Sequence, residues 1–263
     1  MAFDFHKDRS IYFEYLRKAT LNHVIPFIRE RYDLPTKAKI LEIGSGDGGV
    51  LKGFLEAGCQ VYGVELNPTM YASAQRLLQK EMQEGLVHLI HKNIFDVDFE
   101  EELPVRFDLI VLKDVIEHIH HKPQLFELLK KILAPNGHVF FGFPPWQMPF
   151  GGHQQICQNS LLSKLPYYHL LPAFFYKSLL SSMGESEGTV RELLDIKQTG
   201  LSIERFEKLA KKSDFQITHQ RFYLVNPIYE YKFRLKQRQQ IPLVNHLPFL
   251  RNFLTTCAYY LVK

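Results

Sequence analysis

The densest chemistry in the chain lies at residues 41–49, Leu-Glu-Ile-Gly-Ser-Gly-Asp-Gly-Gly. Four glycines within residues 44–49 allow a tight turn and a close approach of backbone to ligand. Gly44, Gly46 and Gly49 also satisfy G-x-G-x-x-G, which would lay a pyrophosphate on a helix N-terminus. Glu42, two residues before the first glycine, would set a negative charge beside that pyrophosphate. It suits a cofactor with a cationic end. Glu65 closes the next apolar run, where its carboxylate can accept hydrogen bonds from both hydroxyls of a ribose. Either kind of cofactor carries one.

A second group follows the fourth apolar run: Asp114, Glu117, His118 and His121. On a helix, Asp114 with His118 and Glu117 with His121 are i,i+4 pairs that share a face. No second ligand cluster has recognisable spacing, so no metal site is expected. His153 sits in Pro-Phe-Gly-Gly-His-Gln-Gln (149–155), where a glycine pair can bring an imidazole over a reacting atom. His153 is the first candidate for a general base and His118 the second. Trp146, the only tryptophan, is expected against an acceptor or in the core of the same segment.

The elements that must position these residues alternate. Helical spacing of apolar residues covers 10–31, 49–57, 68–84 and 202–212, and a helix is expected from the fourth strand through Leu133. Short apolar runs at 38–43, 61–66, 86–94, 107–112, 138–143 and 215–224 read as strands, with Pro135-Asn136-Gly137 as a turn. This rhythm predicts βαβ units and a parallel, doubly wound sheet.

The stretch FDLIVLKDVIEHI (107–119), the helix after it, PNGHVFFGF (135–143) and a C-terminal helix–strand pair resemble the class I S-adenosylmethionine (SAM)-dependent methyltransferases. Glu42, Gly44, Gly46 and Gly48 match that family's E/D-x-G-x-G-x-G motif. Within the family the nearest resemblance is to the small-molecule enzymes that include ubiquinone-type O-methyltransferases. It covers about 37–143 and 200–224. It implies a Rossmann-like α/β sheet, mostly parallel with an antiparallel last strand. It further implies that the loop Gly44-Ser45-Gly46 to Gly48 wraps the methionyl part of SAM, that Glu65 holds the ribose and that Leu66 packs on the adenine. Asn93, with Ile94 beside it, takes the place of an aspartate that usually receives the adenine amino group, with Asp96 as the alternative. Lys113 ends the strand whose backbone lines the methyl-donor channel. The terminal stretch LRNFLTTCAYYLVK reads as the antiparallel strand beside the fifth.

The chain of 263 residues, 46% hydrophobic and 23% charged, has the composition of a globular domain. One domain is expected over 1–263, with a helical segment at 1–36 and an α-rich lid at 144–200. Three scattered cysteines, no apolar run long enough to span a bilayer and no apolar leader predict a cytoplasmic protein. In the lid, 161–180 sets Tyr167, Tyr168, Phe174, Phe175 and Tyr176 among leucines, which suits either a cover for the site or contact with a lipid-like acceptor. The net charge of +4 is uneven: residues 221–263 hold seven basic residues against Glu230. That basic connector fits an anionic acceptor or a peripheral membrane contact better than nucleic acid. The reading is SAM-dependent O-methylation of a small or lipid-like acceptor. The alternatives are N- or C-methylation, a SAM-binding protein without turnover, and an NAD-dependent oxidoreductase, the last disfavoured by Glu42.

Overall fold

The computed structural model describes residues 8–96, 99–103 and 105–263; residues 1–7 of the N-terminal segment lie outside the described part. Four apolar runs form β1 (Lys39–Ile43), β2 (Gln60–Glu65), β4 (Phe107–Lys113) and β5 (Leu133–Phe143), each largely buried, β5 from Gly137 onward. With β3 (Val87–His91) they pair in parallel. Three further strands, β6 (Ile217–Val225), β7 (Arg238–Gln239) and β8 (Cys257–Val262), complete an eight-stranded sheet in the order β3-β2-β1-β4-β5-β8-β6-β7. As the sequence predicts, β8 runs antiparallel beside β5, and all six of its residues are buried. The rest of the terminal stretch is not strand: Leu250–Leu254 is a short helix.

Helices cover both faces because strand residues alternate. One core joins Leu41, Ile43, Ile110, Leu112 and Phe141 to α7 (Lys122–Ile132) and α10 (Ile203–Lys212). The other joins Ile40, Val61, Leu109, Val111 and Phe140 to α1 (Arg9–Ala19), α2 (Ile25–Arg29) and α3 (Gly49–Glu56). The flank of β2 and β3 carries α4 (Pro68–Leu77), α5 (Gln79–Gln83) and α6 (Phe99–Glu102). In 144–200, α8 (Ala173–Ser182) and α9 (Glu187–Thr199) enclose a small separate core of Cys157, Leu162, Tyr168, Tyr176, Leu180, Val190 and Leu193. The connector after β6 contributes α11 (Tyr229–Phe233) and α12 (Pro242–Asn245), and α13 (Leu250–Leu254) leads into β8.

Five expectations change in detail. The helix over 10–31 widens to a π turn at Thr20–Val24, where Ile25 N donates to Thr20 O; Pro26 has no N–H with which to continue the α pattern. The helix over 68–84 breaks at Leu78, and the third strand ends at His91. The turn at Pro135-Asn136-Gly137 loops out of β5 itself, since Phe107 pairs with Leu133 while Leu109 pairs with His138. The helix expected straight after β4 starts only at Lys122, where Pro123 is tolerated in the first turn.

The chain reaches β8 through one polar junction. Glu204 accepts from Phe249 N (3.1 Å), Arg251 Nε (2.9 Å) and Asn252 Nδ2 (2.7 Å), while Asn252 Oδ1 accepts from Ile203 N (2.8 Å). Glu204→Ala removes three acceptors' worth of bonds from a partly buried cluster. Denaturant unfolding should show a loss of about 1–3 kcal/mol.

Candidate active site

The strand order reverses between β1 and β4, and in such sheets the ligand crevice opens at the carboxyl ends of the two strands. The glycine loop, Glu65–Asn67, Lys113–His118 and the segment after β5 all leave the sheet at that edge.

On the β1–β2 side, Gly44 N and Ser45 N donate to Val64 O (2.8 and 3.0 Å), so the loop folds over the end of β2. Gly46 has φ +54°, and a Cβ built there meets nothing within 4 Å, leaving one flank of the loop open. At Gly48, with φ +88°, a Cβ would lie 2.5 Å from Leu78 Cδ1, which locks the loop against the neighbouring helices. The Glu65 carboxylate is held flat by two backbone donors, Gly46 N to Oε2 (2.8 Å) and Asn67 N to Oε1 (2.7 Å), and keeps further lone pairs. Beyond it Leu66 is 62% exposed. Asn93 Oδ1 accepts from Phe95 N (3.0 Å) and Asp96 Oδ2 from Asn93 N (3.3 Å), so both candidates for the adenine contact close their own turn; Ile94 packs on the core. Glu42 is buried, and its Oε2 has no hydrogen-bond partner among the described residues, nor has the buried Ser45 Oγ. Burial holds the Glu42 carboxyl well above its usual range, against the pull of Lys113 and with the added repulsion of Glu65.

On the β4–β5 side, Lys113 turns inward and donates to Asp114. Burial pushes the ammonium down most strongly, but the Asp114 carboxylate and its hydrogen bond, together with Cys257 and Tyr12, hold Lys113 above its ordinary value. Asp114 takes φ +57° and donates its N–H to Gly142 O (2.7 Å), and Ile116–His118 is a single 3₁₀ turn. The i,i+4 pairing of Asp114 with His118 and of Glu117 with His121 therefore does not exist: His121 is exposed just before α7. What forms instead joins distant residues. The rings of His118 and His153 meet edge to face at 4.8 Å, and His118 Nε2 lies 4.0 Å from Glu117 Oε1. Glu117 is buried, and neither carboxylate oxygen has a hydrogen-bond partner among the described residues. Burial raises its carboxyl well above the usual range, and Asp114 adds to the effect. Burial pushes both imidazoles down, that of His153 to about 4.

Two segments pack near this edge. Trp146 is tied within residues 144–200: its carbonyl accepts from His169 Nε2 (2.8 Å), and Lys197 lies over its ring. Gln154 Nε2 donates to His169 Nδ1 (3.0 Å), which fixes the tautomer. Burial holds that imidazole neutral, down to about 4. The second segment was not foreseen. α11 docks on α1 and the π turn through Asn22 Nδ2 to Tyr231 Oη (2.7 Å) and His23 Nε2 to Glu230 Oε2 (3.2 Å). Lys232 Nζ lies 4.6 Å over the Tyr12 ring. Burial brings Lys232 down to about 8 and Tyr12 up to about 12, and the Asp114 charge acts on both. In the sequence Lys232 is one base among several on an aromatic connector; only its docking on α1 turns it inward.

The sheet order and the glycine loop at its switch point define a Rossmann-like, SAM-dependent methyltransferase. A family of methyltransferase domains matches residues 12–164, more than half of the chain, and the chain belongs to it. The dinucleotide reading is thereby set aside. The ubiquinone biosynthesis O-methyltransferase of Pseudomonas syringae pv. tomato is 27% identical over 117 residues, 44% of this chain and 48% of that protein. The protein of the same name from Pseudomonas fluorescens is 26% identical over the same length. The chain thus spans about half the length of these curated relatives. Among solved structures, a putative sarcosine dimethylglycine methyltransferase from Galdieria sulphuraria superposes with a TM-score of 0.57 at 15% identity, covering 94% of this chain and 85% of that one. A plantazolicin methyltransferase in complex with a substrate analogue and S-adenosylhomocysteine gives 0.55 at 12%, covering 98% and 86%. These two likenesses are of fold.

The cofactor of the family is SAM, and the residues present fit it. A buried carboxylate at Glu42 with one unpartnered oxygen suits an ammonium, an open glycine flank leaves room for the chain of the ligand, and a bidentate Glu65 retains acceptor capacity for two hydroxyls. A Glu whose carboxyl is raised in the folded state binds protons more tightly there than when unfolded. It therefore stabilises below the unfolded value near 4.3 and destabilises increasingly as pH rises above it. Glu42→Gln should leave the ligand-free melting temperature at neutral pH unchanged or higher, and flatten its fall from about pH 4 to 7. In calorimetry the same variant should bind SAM at least about tenfold more weakly.

Proposed function

We propose that the protein transfers the methyl group of SAM to a hydroxyl oxygen of a small, lipid-like acceptor. The observation that carries this is the neutral His118–His153 pair beside Glu117, across the Lys113–Asp114 pair from Glu42. SAM supplies an electrophilic methyl carbon on a sulfonium, and the electrons of the broken S–C bond stay on sulfur. The chain's residues align the two reactants and exclude water. In this reading Glu42 holds the ammonium, the Gly44-Ser45-Gly46 to Gly48 loop the methionyl chain, and Glu65 the ribose. Leu66, with Asn93 and Ile94, takes the adenine, and the Lys113 backbone lines the donor channel. The acceptor oxygen attacks the methyl carbon, and its proton passes to His153, whose ring His118 supports. The lid over 144–200 closes the acceptor side.

The oxygen acceptor and its lipid-like character draw support from the relatives named in ubiquinone biosynthesis. The lid adds a physical reason. While Tyr168 and Tyr176 fill its small core, Phe174 and Phe175 stand 77% and 60% exposed, and Leu161, Leu165 and Leu171 of the same segment are exposed too. No helix among the described residues is long and apolar enough to cross a membrane. The reading is a cytoplasmic enzyme that meets a bilayer peripherally through this surface.

Labelled SAM added to a cell extract, followed by mass spectrometry, identifies the acceptor; an O-methylated product is expected. An N- or C-methyl product overturns the oxygen assignment, and SAM binding without any product points to a protein that does not turn over. On the identified acceptor, His153→Ala should lower kcat about a hundredfold and change SAM affinity less than about twofold. Unchanged turnover removes His153 from the chemistry. The double substitution Phe174→Ser, Phe175→Ser should abolish co-flotation with phosphatidylglycerol vesicles; undiminished flotation moves the contact elsewhere.

A further inference from the structure

Glu117, His118 and His153 come together although the sequence separates the third from the first two by more than thirty residues. One nitrogen from each imidazole and one oxygen of the carboxylate all lie within 4.8 Å of one another. Four-coordinate ligands at about 2.1 Å from a zinc ion stand about 3.4 Å apart, so small side-chain rotations close the set. Each imidazole turns one ring nitrogen toward the cluster. The carboxylate is buried and has no hydrogen-bond partner among the described residues, an arrangement that is costly unless something cationic completes it. Access exists, because the His118 side chain is 39% exposed. Among the described residues no other group of histidine, cysteine and acid side chains forms such a cluster.

We propose that Glu117, His118 and His153 form a binding site for a divalent transition-metal ion, zinc above all, on the acceptor side of the crevice. Two imidazoles with one carboxylate favour zinc over magnesium or calcium, which prefer all-oxygen shells. Three protein ligands leave a coordination position open. This inference rests on the methyl-transfer reading for its role. A bound ion would lower the pKa of an acceptor hydroxyl at the open position, and His153 would then serve as its ligand in place of the proton acceptor described above, leaving the methyl transfer itself unchanged. The Lys113–Asp114 pair next to the site is internally neutralised, so it does not oppose a cation as a lone lysine would.

The test is metal uptake by the whole chain, independent of any acceptor. Protein stripped with EDTA under reducing conditions is titrated with zinc chloride by calorimetry, with and without SAM. One zinc per chain is expected, with binding weakened at least about tenfold in Glu117→Gln and in His153→Asn. Gln keeps the shape of Glu117, and Asn tolerates the left-handed φ of +56° at His153, so both variants should show wild-type circular dichroism. Cobalt(II) in place of zinc should give a visible d–d band that both substitutions abolish. Zinc uptake that is absent, substoichiometric or equal in wild type and variants overturns the site and assigns any bound ion to other histidines or cysteines. The two readings fail separately. Stripped protein that binds SAM and methylates at full rate with chelator present ends the metal inference and leaves methyl transfer standing. Zinc bound by the triad in a chain with no SAM affinity does the reverse.

Discussion

Two carboxylates with unanswered oxygens, Glu42 and Glu117, are the constraint around which this edge of the sheet is built. An ionised carboxylate taken out of water without a partner costs several kcal/mol, and the fold does not relieve that cost locally. It leaves both groups with a raised affinity for protons and places between them one neutralised pair, Lys113 with Asp114. Each orphan thus marks a place where the chain alone is electrostatically incomplete. On the β1 side that place suits the cofactor ammonium, as the proposed function assigns it. On the β4–β5 side two imidazoles stand beside the carboxylate.

That arrangement holds only if water is kept from the carboxylates, which explains why so much of the chain is spent on covers. α1 lies against the glycine loop, and Arg9 reaches Asp47 (3.2 Å). α11 then clasps α1 through Asn22 and His23, which the π turn presents. From the other direction the lid is pinned by the Gln154–His169–Trp146 chain. The lid has its own apolar core, so its outer surface can change without disturbing the sheet that holds the cofactor residues.

The division between what the sequence revealed and what it hid follows the range of the interactions. β1, the glycine loop, Glu42 and Glu65 are legible because their geometry is local: Glu65 is tied to Gly46 and Asn67 by bonds that span one βαβ unit. The alternation of parallel strands with helices was legible through periodicity and punctuation, whereas the antiparallel β8 beside β5 was implied by the family resemblance. The acceptor side was misread where helical periodicity was assumed to resume at once after β4. Asp114 adopts a left-handed conformation to bond Gly142, an interaction between strands that no spacing within 107–133 reports. The meeting of His153 with His118, and of Lys232 with Tyr12, depends on how two covers dock, and packing of that kind has no periodic signature.

The uneven charge of the chain acquires a location by the same reasoning. Within the basic C-terminal stretch, Arg221 is bound to Glu30 (2.6 Å), Arg251 to Glu204 and Glu207, and Lys232 is turned into the site. These charges already have partners within the chain. The cations left exposed on the connector are Arg234, Lys236 and Arg238, and they stand in sequence among Leu235, Ile241, Leu243 and Phe249, which are exposed too. The Tyr167 ring of the lid meets Phe253 at 6.3 Å, so the apolar outer face of the lid and this connector adjoin. Apolar side chains flanked by a few cations favour an anionic interface over a nucleic acid, because the bases are too few to track a phosphate backbone and the exposed residues between them are largely aliphatic. The exposed positive charge is therefore set among apolar side chains, a surface that the proposed function gives to the acceptor, while that reading gives the cofactor to the carboxylates Glu42 and Glu65.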